Sequence, residues 1–216
     1  MGKLIEHLAL KKGHRIVAKI QKTNGSWKEC EKAHVIIDFS HPSCVLENLE
    51  KALNLKKPIV LGTTGWEEKR DVVKKMVEEK EGTLLYAPNF SLGVFFFLEI
   101  VKCAAKLSLS FPEYDICGME MHHKQKQDAP SGTAKHILSL FKQAIPFSSI
   151  RLGSVYGKHT LVFDSFCDTI TLTHEAKSRE GFAEGAIAGA EWIIGKKGWL
   201  TLDEMLHSLH STSDSI

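Results

Sequence analysis

Three short apolar runs constrain this fold more than any other feature: "HVIIDFS", "PIVLG" and "TLLYA", all between residues 34 and 87. None alternates polar with apolar positions, so both faces of each strand need cover. The segments between them carry helical stripes instead. Val45, Leu46, Leu49, Ala52 and Leu53 form one, and Val72, Val73, Met76 and Val77 the other. Strands buried on both faces and joined by helices make a parallel sheet with helical layers on each side. An earlier stripe of Leu4, Ile5, Leu8 and Ala9 predicts a helix closed by Gly13, and "HRIVAKIQ" after it reads as a further strand. The first half is therefore expected to be a doubly wound, Rossmann-like α/β unit up to about residue 90.

Beyond that point the pattern changes. The long apolar helix "GVFFFLEIVKCAAKL" leads into the extended run "YDICGMEMHH". After a helix opened by Ser131 come "SIRLGSVYG", "HTLVFDSF" and "DTITLTHEAK". Three β-rich runs broken by glycines predict a meander in an open mixed or antiparallel sheet. Two helices, "GFAEGAIAGAEWIIG" and "TLDEMLHSLH", close the chain. The expected organisation is a nucleotide-type α/β domain over 1–90, completed by C-terminal helices in 180–216, and an α+β domain over 91–179.

Bulk properties narrow the function. A formal net charge of +2 argues against nucleic acid as a partner, so any basic site is local. The five cysteines show no C-x-x-C spacing and are odd in number, which favours reduced thiols in the cytoplasm over a disulfide framework or zinc ribbon. The most apolar stretch meets Glu99 well short of the ~20 residues that span a bilayer, and no signal-peptide pattern opens the chain.

A dinucleotide-binding domain normally opens on a strand and a G-x-G-x-x-G loop ahead of its first helix. Here the helix pattern begins at once, with Gly2 in the place of the loop's last glycine. The first strand and most of the loop, roughly ten residues, are expected to be missing. The position that meets the adenine ribose falls ~20 residues on, at Gln21 and Lys22. Neither is acidic, and Lys22 can pair with a 2′-phosphate. NADPH is thus expected to be accepted at least as well as NADH.

Three polar loops, "DFSHP", "LGTTGW" and "YAPNFSLGV", each follow a strand of the parallel sheet. Open α/β sheets bind ligands at those carboxyl ends. A different chemistry is concentrated in "HHKQKQDAPSGTA" (122–134). Strand alternation sends Glu120 and His122 to one side and His123 to the other. Two histidines can ligate a metal, but no cysteine or second histidine pair is spaced to complete the set, and Lys124 and Lys126 repel a cation. No metal is expected. A plain reading as surface residues at a strand end also stays open. The remaining reading is an anion site that moves a proton. Lys126 supplies a fixed cation, histidine a proton near neutral pH, and Ser131, Gly132 and Thr133 offer free N–H groups and hydroxyls at a helix start. Such a pocket suits a small dicarboxylate.

"EMHHKQKQDAPSGTA" resembles the E-x-H-H-x-x-K-x-D-A-P-S-G-T-A signature of the 4-hydroxy-tetrahydrodipicolinate (dihydrodipicolinate) reductase family. "VIIDFS", "GTTGW", "APNFSLGV", "GKHTLVF" and "THEAKSREGFAEGA" resemble that family in the same order, so the resemblance spans essentially the whole chain. It implies an N-terminal dinucleotide-binding domain and a substrate domain that also builds a homotetramer. It implies NAD(P)H-dependent reduction of a cyclic dicarboxylate to tetrahydrodipicolinate in diaminopimelate and lysine biosynthesis. By position, His122 is similar to the proton donor/acceptor, and Lys126 to a second proton-donating or charge-stabilising group. His123, Ser131, Gly132 and Thr133 match substrate contacts. Gly62, Thr63, Thr64, Ala87, Pro88, Asn89 and Phe90, with Gly2 and Phe39, match the cofactor side; Gln21 and Lys22 stand where many relatives carry an acidic residue, and Arg179 and Phe182 lie where the family returns to the cofactor domain. Two alternatives carry different expectations. One is an N-terminally truncated, catalytically weak homologue with only a binding or oligomerisation role. The other is a metal-dependent hydrolase built on His122 and His123, which chelators would silence.

Overall fold

The structure is a computed structural model and describes residues 1–21 and 25–211. In chain order its main elements are α1 (Gly2–Lys11), β1 (Ile36–Asp38), α2 (Val45–Asn54), β2 (Ile59–Leu61), α3 (Arg70–Glu79), β3 (Thr83–Tyr86), α4 (Leu92–Leu107), β4 (Asp115–His122), α5 (Gly132–Ser139), β5 (Phe147–Arg151), β6 (Lys158–Asp164), β7 (Thr169–Glu175), α6 (Glu180–Trp192), β8 (Gly198–Thr201) and α7 (Leu202–Ser211). The chain divides into two compact units. One holds Met1–Phe90 and the chain from Phe182 onward; the other holds Ser91–Gly181.

The first unit is built on a parallel sheet of order β1-β2-β3-β8. Ile59, Val60, Leu61, Leu84 and Leu85 are fully buried or nearly so, the double-sided burial expected of a covered parallel strand. Val45, Leu49, Ala52 and Leu53 of α2 and Val73 and Val77 of α3 are the buried part of their stripes, and they share one core with Ile59, Leu61, Leu84, Trp66 and Tyr86. Glycines let α6 lie flush against this unit. A Cβ at Gly185 would land on the Phe90 carbonyl oxygen, and one at Gly189 would sit 2.6 Å from a Leu85 methyl.

Two expectations need correction here. "HRIVAKIQ" forms no strand in residues 14–21. Strand β1 pairs with β2 alone among the described residues, so 14–21 has no ladder on which to place its N–H and C=O groups. In the other direction, β8 was not expected. It starts at Gly198, whose φ is +91°, and pairs with β3 over only four residues. A run with two large apolar residues, Trp199 and Leu200, carries too little periodicity to be read as a strand.

The second unit carries a mixed sheet of order β5-β4-β6-β7. Strand β4 runs parallel to β5 and antiparallel to β6, and β6 and β7 pair antiparallel. The expected meander is therefore limited to β6 and β7. Helix α5 provides the crossover that a parallel β4–β5 pair requires. Along β4 burial alternates: Ile116, Gly118, Glu120 and His122 are buried, Cys117 and Met119 exposed. Phe97, Val101 and Ala105 of α4 and Ile137 of α5 share a core with Ile116, Leu161 and Phe163 of this sheet.

Gly185→Ala tests the flush helix. Its new methyl meets backbone rather than a side chain that can yield, so the overpacking cost, about 1–3 kcal/mol, is expected at its upper end. That exceeds the ~1 kcal/mol Ala gains over Gly in a helix. The melting temperature should fall by several degrees; an unchanged or raised value would show that α6 is free to shift.

Candidate functional site

Strand register aligns the loops of the first unit. Asp38, Leu61, Tyr86 and Thr201 are successive partners across β1, β2, β3 and β8. All four following segments therefore leave the same carboxyl edge. The Gly62 N–H donates to the Asp38 carbonyl at 2.9 Å and the Ala87 N–H to the Leu61 carbonyl at 3.3 Å. The buried Asp38 carboxylate laces the first two loops together. It accepts from the Ser40 N–H at 2.7 Å, the Thr63 hydroxyl at 3.1 Å and the Asn48 amide at 2.8 Å. The Phe39 and Phe90 rings meet with centroids 5.9 Å apart, and any Cβ on Gly62 would run into the Phe39 ring. Thr63, Ala87 and Phe90 are buried, Thr64 and Pro88 exposed, and Asn89 half-buried. Gly2 opens α1 at an exposed position with nothing within 4 Å of where a Cβ would stand. Arg179 is exposed and Phe182 half-buried; Lys22 lies outside the described residues.

The second unit assembles a polar cluster by register as well. Glu120 in β4 is partnered by Ser149 of β5 on one side and His159 of β6 on the other, and His122 is partnered by Arg151. Glu120 has no exposed surface, and His122 and His159 are buried. Glu120 Oε1 accepts from the Ser131 N–H at 3.0 Å and the Ser149 hydroxyl at 2.8 Å, and lies 3.4 Å from Arg151 Nη2. Oε2 lies 3.5 Å from His122 Nδ1 and 3.6 Å from His159 Nε2. The two imidazoles meet edge to face with centroids 5.2 Å apart. Arg151 also donates to the carbonyls of Lys126 and Asp128, which pins the loop between β4 and α5. On that loop Lys126 Nζ pairs with Asp128 Oδ1 at 2.7 Å, and His123 Nδ1 lies 3.2 Å from Gln125 Oε1.

One expected contact is partly used up. The Ser131 N–H is taken by Glu120, and the Ser131 hydroxyl accepts from the Ala134 N–H and lies 3.3 Å from His159 Nε2. Ser131 thus serves as the buried N-cap of α5, and the offer of a free N–H passes to the exposed Gly132.

The electrostatics follow from this burial. Burial alone would raise the Glu120 pKa, but hydrogen bonds from Ser131 and Ser149 and the nearby His122 outweigh it and hold the carboxyl below its usual range. Burial lowers His122; Glu120 opposes that shift, while Lys126 and Arg151 add to it. His159 is pushed down to about 4 by burial and by the charge of His122.

The chain matches known proteins over both units. The profile for the N-terminus of dihydrodipicolinate reductase matches residues 1–90, and that for its C-terminus residues 93–206. A 4-hydroxy-tetrahydrodipicolinate reductase of Christiangramia forsetii is 33% identical over 97% of this chain and 95% of its own. The chain belongs to the dihydrodipicolinate reductase family. It is accordingly an NAD(P)H-dependent oxidoreductase of diaminopimelate and lysine biosynthesis that acts on a dicarboxylate. This is favoured over a homologue reduced to a binding role. Among solved structures, a dipicolinate-bound dihydrodipicolinate reductase from Paenisporosarcina sp. TG-14 shares the fold with a TM-score of 0.62 at 24% identity, over 78% of this chain and 71% of that one. An amine dehydrogenase from Mycobacterium smegmatis shares it with a TM-score of 0.59 at 12% identity, over 94% and 92%.

Within this family member, the reading from sequence missed Glu120 as a hub, and missed His159, Arg151 and Ser149 altogether. The available signal was the polar residue at an inward position of each strand, Glu120 in "GMEMHH" and His159 in "GKHTLVF". Glu120, His122 and His159 bring one ligand atom each to within 4.8 Å of one another. Lys126 and Arg151 act on the same cluster and oppose a cation there.

The depressed His159 pKa sets a pH dependence of stability. Folded His159 stays neutral down to about pH 4, whereas the unfolded chain takes up a proton near 6.5. Stability is therefore full above pH 6.5 and falls as the pH drops toward 4, by about 3 kcal/mol in all. Urea unfolding between pH 7.5 and 4.5 should show this slope, and His159→Gln should remove most of it.

Proposed function

We propose that His122 protonates the substrate and that Lys126 stabilises the charge that develops as it is reduced, with His123, Gly132 and Thr133 binding the dicarboxylate. The observation that carries this reading is the buried Glu120–His122–His159 cluster at the end of β4, next to the Lys126 loop and the start of α5. Bound NAD(P)H supplies the hydride. Gly2 at the open start of α1, and Phe39, Gly62, Thr63, Thr64, Ala87, Pro88, Asn89 and Phe90 at the carboxyl edge of β1–β3, are the residues proposed to hold it, with Arg179 and Phe182 on the cofactor side. Gly62, without a Cβ, fits a backbone that must approach a ligand closely.

Hydride addition to an electron-poor conjugated imine leaves electron density on the neighbouring carbon and nitrogen. A positioned acid and a fixed cation stabilise that density as it forms. Burial, Lys126 and Arg151 lower the His122 pKa while Glu120 and Asp128 oppose the shift, and an imidazole is the side chain suited to giving up a proton near neutral pH. A carboxylate meets the N–H groups that open α5.

The same reading assigns the unit over 1–90 and 180–216 to the cofactor and the unit over 91–179 to substrate binding and oligomerisation. Met119 and Ile150, each exposed by 40% on the outer face of the mixed sheet, support a homotetramer that covers this apolar surface. A cytoplasmic location is proposed on the five unbridged cysteines. No helix of the described residues is long and apolar enough to cross a membrane.

Substrate-dependent NADPH oxidation tests the assignment. Lys126→Ala should lower kcat by about 10²–10⁴ while NADPH binding stays within twofold or so; near-normal turnover would remove Lys126 from the mechanism. Cofactor preference is a separate matter. With no acidic residue at Gln21 or Lys22, NADPH is proposed to be used at least as well as NADH. Lys22→Glu should lower the NADPH-to-NADH ratio of kcat/KM by at least tenfold, about 1.4 kcal/mol, and an unchanged ratio would show that Lys22 does not meet the 2′-phosphate.

A further inference from the structure

Resting on the reading of His122 as proton donor, the geometry points to Glu120 as a positioning residue whose Oε2 holds the Nδ1 side of His122, with His159 competing for the same oxygen. The two carboxylate oxygens are used differently. Oε1 takes the Ser131 N–H, the Ser149 hydroxyl and Arg151, drawn from the start of α5 and from β5. These contacts fix the carboxylate plane. Oε2 is buried with no hydrogen-bond partner, as is His122 Nδ1. The unclaimed oxygen lies 3.5 Å from His122 Nδ1 and 3.6 Å from His159 Nε2. Those separations contract to a hydrogen bond once a ring nitrogen carries a proton. A proton on Nδ1 held by Oε2 leaves Nε2 of His122 as the nitrogen that donates, and the ring keeps one orientation through the reaction.

The surrounding charges make Glu120 necessary. His122 is faced by Glu120 and Asp128, which favour its protonation, and by Lys126 and Arg151, which oppose it. His159 is faced by His122, His174 and Lys126, all of which oppose its protonation, and by Glu120. Of the two carboxylates near His122, Asp128 is already paired with Lys126 at 2.7 Å. Without Glu120, Asp128 alone would oppose the cations, and the His122 pKa would fall further.

Glu120→Gln keeps an acceptor for Ser131 and Ser149 and removes the charge. NMR titration of the His122 ring, which needs no substrate, should show its midpoint fall by about one pH unit. The pH profile of kcat should move down with it. At pH 7 kcat should drop about tenfold with the substrate KM within about twofold, since the binding groups are untouched. His159→Gln removes the competing ring and should raise the His122 midpoint. An unchanged midpoint in folded Glu120→Gln would overturn the inference. If Glu120→Gln does not fold, an unchanged midpoint in His159→Gln overturns it. Loss of the underlying reductase reading would appear separately, as wild-type protein without substrate-dependent NADPH oxidation.

Discussion

A carboxylate with no exposed surface needs hydrogen bonds and counter-charges to hold its charge in a fold, and Glu120 gathers them chiefly on Oε1. Meeting it dictates much of the second unit. Ser149 must stand beside it in β5, Arg151 must reach it from the end of that strand, and the start of α5 must come close enough for the Ser131 N–H to donate. The same Ser131 caps α5, and the same Arg151 ties down the Lys126–Asp128 turn. One buried charge thereby fastens two strands, a helix start and a loop. Removing one partner would leave charge stranded in the interior, which is far more costly than losing a surface pair.

The first unit reaches the same end by other means. Its apolar strands are covered on both faces, so the polar groups collect at the edge where the strands stop. The row Asp38–Leu61–Tyr86–Thr201 brings that edge into line. Asp38 then spends its carboxylate on Ser40, Thr63 and Asn48, holding two loops that each look unremarkable alone. The Phe39–Phe90 contact over Gly62 adds an apolar floor.

Much of the fold was legible because burial leaves a period in sequence. The double-sided apolar runs at 59–61 and 83–86 marked a parallel sheet, and the eight-residue alternation of β4 placed Glu120 and His122 on one face. Where a segment's state depends on its neighbours, the reading failed. "HRIVAKIQ" has strand composition but no partner, and Gly198–Thr201 has little strand composition but pairs with β3. The order β5-β4-β6-β7 was illegible for the same reason, since strand order depends on the crossover through α5 and not on any local pattern.

The site divides along that line. The amino-acid sequence by itself determined the family, the two-unit plan of the sheets and the cluster His122–Thr133, because their residues are contiguous or periodic. Only the tertiary structure decided that Glu120 is the hub, that His159 lies against it from 39 residues away, and that Ser131 turns its N–H inward. The physical reason is that cross-strand register is a long-range property. It sets which inward-facing polar groups meet, and a buried carboxylate finds its partners only after the strands carrying them have paired.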